Sequence, residues 1–166
     1  LIVIGSFHLL NLQRKKLKYR IKLRKVRDSF LVSKHNKHEL MVYDVKYMQR
    51  LPFIKISSRS NKYIFNCFDI AINLLKNKRI LGLINCPIAK ESLFKNKHQG
   101  ITEFLSKKMG KYEKETMLIY NKELSVSPLT THIRLKDVSS KIKKSKILNN
   151  VNLINNFFKK NFNKKP

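Results

Sequence analysis

Acidic residues are scarce in this chain. Its 166 residues include 10 Asp+Glu against 37 Lys+Arg, a formal net charge of +27. Glycine is scarcer still. The four are Gly5, Gly82, Gly100 and Gly110, and neither a GxGxxG turn nor a P-loop can be drawn through them. Any nucleotide must therefore be held in another way. The two cysteines, Cys67 and Cys86, lack CxxC or metal-finger spacing, which argues against a disulfide scaffold and fits a reducing compartment. The longest apolar run is far too short to span a bilayer, and no charged-then-apolar leader is visible. The expectation is a cytoplasmic protein with no membrane partner.

What is present supports a folded core. Hydrophobic residues make up 42% of the chain, too many for a chain disordered throughout. A charge of +27 points by itself to a polyanion, and a basic nucleic-acid-binding protein of ribosomal type is the alternative it raises. The basic residues, however, are spread along the whole length. Their local peaks, Arg14 to Lys18 and Lys141 to Lys146, contain no interleaved aromatics. They come with many Asn and Ile residues, the set an AT-rich coding sequence produces. No specific nucleic-acid partner is therefore expected. The chain opens on Leu1 directly in an apolar run and ends at Pro166 after a basic, Asn-rich stretch. That pattern reads as an internal fragment of a longer protein.

Along the chain, Leu1 to Ile4 reads as a buried strand closed by Gly5-Ser6. Ser6 to Arg14 fits a helix. Tyr19 to Leu23 alternates like a strand, and Phe30-Leu31-Val32 and Leu40 to Tyr43 are two shorter strand candidates. His35 and His38 lie between them without carboxylate or Cys partners, so they read as solvated loop residues. Ser57 to Asn61 is a cluster of helix-start residues. The apolar stripe of Tyr63, Ile64, Cys67, Ala71, Leu74 and Leu75 follows, closed by the cations Lys76, Lys78 and Arg79. The unbroken run Ile80 to Asn85 then suggests a central parallel strand, with Lys90 in the turn at its ligand end. Gly100 permits a turn, Thr102 stands at an expected N-cap, and Gly110 ends the helix. Strands at 116–120 and 124–130 around Asn121-Lys122 suggest a hairpin. A last amphipathic set holds Val151, Ile154, Phe157 and Phe158.

The stretch of greatest chemical interest is Leu124 to Val138. Alternation from Leu124 weakens at Pro128, which cannot donate a ladder hydrogen bond. Thr130, Thr131 and His132 then present two hydroxyls and an imidazole where the strand runs out, and Asp137 looks like the N-cap of a following helix. Read alone, His132 fits a satisfied structural histidine better than a ligand.

Three ordered segments add to this. They are Gly82-Leu83-Ile84-Asn85-Cys86-Pro87-Ile88-Ala89-Lys90-Glu91, Gly100-Ile101-Thr102-Glu103-Phe104-Leu105 and Leu129-Thr130-Thr131-His132-Ile133-Arg134-Leu135-Lys136-Asp137-Val138. Together they resemble the 4-hydroxythreonine-4-phosphate dehydrogenase family of vitamin B6 biosynthesis, most clearly from Asn61 to Phe162. The resemblance implies a fold like that of the isocitrate and isopropylmalate dehydrogenases, two α/β domains incomplete here at both ends. Residues 1–95 would belong to the first domain and 96–166, with the hairpin and metal-site segment, to the second. It implies a homodimer and a phosphorylated small-molecule substrate. The implied reaction is NAD-dependent oxidation with decarboxylation of 4-phosphooxy-L-threonine, assisted by a divalent metal, commonly zinc, with magnesium or cobalt as alternatives.

By the same resemblance His132 stands at the first of three metal-binding histidines and Thr102 at a substrate contact, with Lys90 a further candidate. Ile101 occupies the place of the family's substrate-contacting histidine, a departure that leaves the substrate open. Arg134 replaces a proline. The remaining metal histidines and late substrate contacts, and with them any catalytic residue, would lie beyond Pro166. A related phospho-hydroxy-acid dehydrogenase or a non-catalytic relative are the alternatives. The fragment itself is expected to be inactive and poorly soluble.

Overall fold

The computed structural model describes residues 1–27, 38–95, 100–111 and 114–166. The expected strand Phe30 to Val32, and His35 and His98, lie outside the described residues. The architecture is mixed α/β with a parallel sheet, and the chain divides into two compact units, Leu1–Ile101 and Thr102–Pro166. Among the described residues no helix is long and apolar enough to cross a membrane.

The first unit begins with strand β1 (Ile2–Gly5) and helix α1 (Phe7–Lys16), followed by β2 (Lys22–Val26) and β3 (Glu39–Asp44). The sheet order is β1-β3-β2, and both pairings are parallel. Ile2 faces Met41 and Lys22 faces Glu39 in the register. The apolar run of β3 thus becomes the central strand, where a strand buried on both faces belongs. Val42 is fully enclosed and Met41 nearly so. β2 lies three residues later than the alternation from Tyr19 predicts. Ion pairs Arg24–Glu39 (3.3 Å) and Lys25–Asp44 (2.8 Å) fall across the β2–β3 register.

Ser6 caps α1 by accepting from the Leu9 N–H. Helix α2 (Asn61–Lys76), preceded by a 3-10 turn at Ser58–Ser60, buries Phe68, Ala71, Ile72 and Leu74. Leu74 joins Val26 and Met41 in the core, with Ile2, Ile4, Ile70 and Ile80 packed around them. Each large side chain so buried contributes about 1.5–3 kcal/mol.

Beyond α2 the structure departs from the sequence reading. The run Ile80 to Asn85 is not a strand, and the sheet contains no fourth member among the described residues. Ile80 reaches the core, but Leu81 and Ile84 are 108% and 82% exposed. The physical reason is pairing: an apolar run becomes a parallel strand only beside a neighbour that takes its backbone hydrogen bonds. Helix α3 (Lys90–Phe94) follows and buries Leu93 and Phe94.

The second unit starts within helix α4 (Ile101–Lys108). The expected hairpin is reduced to a single antiparallel bridge, Ile119 with Val126. Its two backbone bonds measure 2.8 and 2.9 Å. The Ser127 hydroxyl donates to the Met117 carbonyl, and Pro128 cannot extend the ladder. A 3-10 turn (Leu135–Asp137) leads into α5 (Val138–Lys141) and then α6 (Lys144–Phe162). No residue of α6 is buried. Tyr120 stacks on Phe162 at 5.7 Å and meets Phe158 at 6.1 Å.

Helix ends are closed by a recurrent bonding pattern. After α1, Lys18 N–H bonds Lys15 O and Tyr19 N–H bonds Arg14 O. After α2, Lys78 N–H bonds Leu75 O and Arg79 N–H bonds Leu74 O; after α4, Gly110 and Lys111 repeat it. This is the Schellman arrangement, whose C′ residue is left-handed. Lys18, Lys78 and Gly110 have φ of 56°, 54° and 68°.

Candidate functional site

Ligands of parallel α/β sheets gather at the carboxyl ends of the strands. Here that end is filled by the chain itself. Asp44, the last residue of β3, accepts from the Phe7 N–H at the start of α1 (2.9 Å) and from Lys25 Nζ (2.8 Å). Burial pushes its carboxyl upward, but the hydrogen bonds from Lys25 and Phe7 outweigh it, so the pKa lies below the ordinary carboxylate value.

Beside it, the Tyr63 hydroxyl accepts from the Ser6 N–H at 2.9 Å, and the Tyr63 ring stacks on Tyr47 with centroids 4.7 Å apart. The Ser6 hydroxyl donates to the Tyr47 carbonyl. Burial pushes Tyr63 up to about 12, the neighbouring Cys67 adding to the shift and the Ser6 N–H opposing it. Burial likewise holds the Cys67 thiol near about 11, above its ordinary value. A β-carbon at Gly5 would stand 3.1 Å from the Tyr63 hydroxyl, so the close approach of β1 to α2 favours glycine there. These groups are a structural knot that joins β1, α1 and α2.

A cleft of about 310 Å³ lies in the first unit. Its wall includes Tyr47, Phe53, Ser60, Asn61, Ile88 and Ala89. The Asn61 side chain donates to the Ser92 carbonyl across it, at 2.7 Å. Ser60 and Asn61 were legible only as helix-start residues. Their part in a cleft depends on the Pro87-Ile88-Ala89 segment folding back beside them, which local spacing does not encode.

The candidate residues themselves are solvent-facing. Lys90 opens α3, is exposed and does not line the cleft. Thr102 is exposed and lies inside the first turn of α4, which starts at Ile101, so it is not the cap that the sequence suggested. Ile101 is half-buried. His132 is exposed, with φ of 57°. A non-glycine residue in that left-handed region costs about 1–2 kcal/mol. The side chains of Lys90, Thr102 and His132 make no hydrogen bond or ion pair with another described residue. Asp137 does not cap α5 with its side chain either. Its carboxylate is taken by Arg134 Nε at 2.8 Å, so the residue that replaces the expected proline also draws off the cap.

Among the described residues no three of His, Cys, Asp and Glu converge as metal ligands. His132 offers a single imidazole, and a tetrahedral site needs three or four protein donors. The described residues therefore do not make a complete metal site.

Comparison with known proteins supplies the context that this geometry lacks. The family model described as "Pyridoxal phosphate biosynthetic protein PdxA" matches residues 1–166. The 4-hydroxythreonine-4-phosphate dehydrogenase of Sulfurihydrogenibium sp. is 29% identical over 163 residues, 97% of this chain and 49% of that protein. The D-threonate 4-phosphate dehydrogenase of Cupriavidus necator is 35% identical over 94 residues, 55% of this chain and 28% of that protein. The crystal structure of a 4-hydroxythreonine-4-phosphate dehydrogenase from Burkholderia phymatum superposes with a TM-score of 0.80 at 22% identity, covering 93% of this chain and 47% of that one. The chain thus spans about half the length of the first of these relatives. With the whole of its length matched, the chain belongs to the pyridoxal phosphate biosynthetic protein PdxA family.

Proposed function

We propose that this chain is part of an NAD-dependent 4-hydroxythreonine-4-phosphate dehydrogenase with an isocitrate dehydrogenase-like two-domain fold, working in the cytoplasm as a homodimer. The observation that carries the reading is the family match over residues 1–166; the Thr130-Thr131-His132 motif supports it. In the proposed reaction the substrate's 3-hydroxyl is oxidised to a ketone, and the carbon-bound hydride passes to NAD. The β-keto acid so formed then loses carbon dioxide and leaves 3-amino-2-oxopropyl phosphate.

Three side chains of this chain have roles in that reading. The Lys90 ammonium and the Thr102 hydroxyl, both exposed and unpaired among the described residues, are free to meet the substrate's phosphate or hydroxyl oxygens. His132 contributes one nitrogen to a divalent ion, zinc in the first instance with magnesium or cobalt as alternatives, whose other ligands lie outside the described residues. Ile101 presents carbon where the family motif has an imidazole. A lost donor weakens selection for a substrate's amino or hydroxyl group.

That substitution favours a second reading in which the substrate is a related phosphorylated hydroxy acid, such as the threonate phosphate named for the Cupriavidus relative. The test is NADH formation by the natural gene product, supplied with zinc and either 4-phosphooxy-L-threonine or D-threonate 4-phosphate. A preference for the first supports the first reading and a preference for the second the other. Turnover of neither would leave a non-catalytic relative.

A further inference from the structure

The segment that carries Thr130-Thr131-His132 is fastened at its two ends. Residues 128–133 form no hydrogen bond with another described residue. On one side the Ser127 hydroxyl donates to the Met117 carbonyl at 2.7 Å. On the other side Arg134 leads into the 3-10 turn. Its carbonyl accepts from the Asp137 N–H at 2.9 Å, and its Nε meets the Asp137 carboxylate at 2.8 Å. Arg134 has φ of −67° and ψ of 143°. These are angles that a proline ring favours, with φ locked. An arginine has no ring, and holding it in that one well costs backbone entropy that proline has already given up. The Arg134 amide makes no hydrogen bond with another described residue, so a ring there would remove none.

We propose that the Arg134–Asp137 ion pair is a clamp, sensitive to ionic strength, on the segment that carries Thr130-Thr131-His132. The pair does by charge what a ring would do by covalent restraint. At low ionic strength it holds Arg134 in its proline-like conformation and keeps the following turn closed. It does so at the expense of α5, which begins without a side-chain cap because the Asp137 carboxylate is engaged. The side chains of Arg134 and Asp137 are 74% and 34% exposed. Salt therefore reaches the pair and screens it, and the turn opens more often as ionic strength rises. An exposed pair of this kind shifts an opening equilibrium by about two- to fivefold. The clamp is independent of the dehydrogenase reading, because what it controls is a backbone turn and its readout is an amide, not turnover.

Hydrogen exchange of the Asp137 amide tests it, followed by NMR on the full chain at about 10 mM and about 1 M sodium chloride. The Val126 amide, bonded to the Ile119 carbonyl, is the internal reference. Relative to it, protection at Asp137 should fall about two- to fivefold at high salt. Arg134→Ala and Asp137→Asn should each show the reduced protection already at low salt, and the double variant should be no lower than either. Arg134→Pro should keep the full protection at both salt concentrations, since a ring does not respond to ions. Protection that ignores salt in the unsubstituted chain overturns the proposal. So does an Arg134→Ala chain as well protected as the unsubstituted one, or an Arg134→Pro chain no better protected than Arg134→Ala.

Discussion

β3 and the run from Ile80 to Asn85 begin from nearly the same sequence signal and end in opposite states. Both are short, apolar and unbroken. β3 lies between β1 and β2, with Met41 and Val42 closed off from solvent, whereas Leu81 projects entirely into it. Hydrophobicity therefore marks which segments can become central strands, and neighbours decide which of them do. A parallel strand needs hydrogen-bonding partners contributed from elsewhere in the chain, and the pattern within the segment does not reveal whether they exist.

The sharpest way to break the comparison is to truncate one side chain in each segment. Met41→Ala should cost about 2–5 kcal/mol, because it opens a cavity in the enclosed core. Leu81→Ala should change stability by no more than about 0.5 kcal/mol. Urea denaturation of both variants checks the pair, and similar losses would refute the contrast.

The knot behind β1 should give the next largest effect. Tyr63→Phe leaves the Ser6 N–H without its acceptor and should cost about 1–3 kcal/mol, read from the same urea curves. Tyr63 and Cys67 also set an alkaline limit. Both pKa values are raised in the folded state, so their contribution is complete below the unfolded values and is lost as pH rises through the folded ones, about 11 for Cys67 and about 12 for Tyr63. Melting temperature followed upward from about pH 9 should fall across that window, and less steeply in the Tyr63→Phe chain.

Asp44 should have a smaller influence with the opposite sign. Its folded pKa is lowered, so its contribution is present above the unfolded value of about 4 and disappears as pH falls through the folded one. Asp44→Asn should cost about 1 kcal/mol at neutral pH, since Lys25 is more than half exposed and solvent screens the pair. It should also flatten the acid side of the stability profile. Least costly to the fold is thiol labelling. Cys86 is exposed and should react first with a thiol reagent, while Cys67, half-buried with a raised pKa, should react slowly. Equal rates would show that α2 opens readily.

Local chemistry was the legible part of the fold. The helix after Ser6, the stripe from Tyr63 to Leu75 and the stop at Gly110 all depend on residues within a turn or two of one another. What could not be read depends on distant groups. Asp137 has the right type and place for a cap, yet Arg134 claims its carboxylate. Thr102 misses the cap position because α4 starts at Ile101. The three ordered motifs identified the family, while the cleft beside Ser60 and Asn61 escaped notice because its walls come from segments far apart in the chain. His132, Thr102 and Lys90 were found by resemblance; their exposed side chains give no sign, by themselves, of a shared task.

The lysines that close α1 and α2 stand where glycine is the easier residue. At Lys18 and Lys78 the backbone takes the left-handed turn that glycine adopts freely, and it does so through complete Schellman bonding. Each side chain there carries about 1 kcal/mol of conformational strain. That strain sits at the helix ends, apart from the core and from the three motifs, so Lys18→Gly or Lys78→Gly would relieve it without disturbing either.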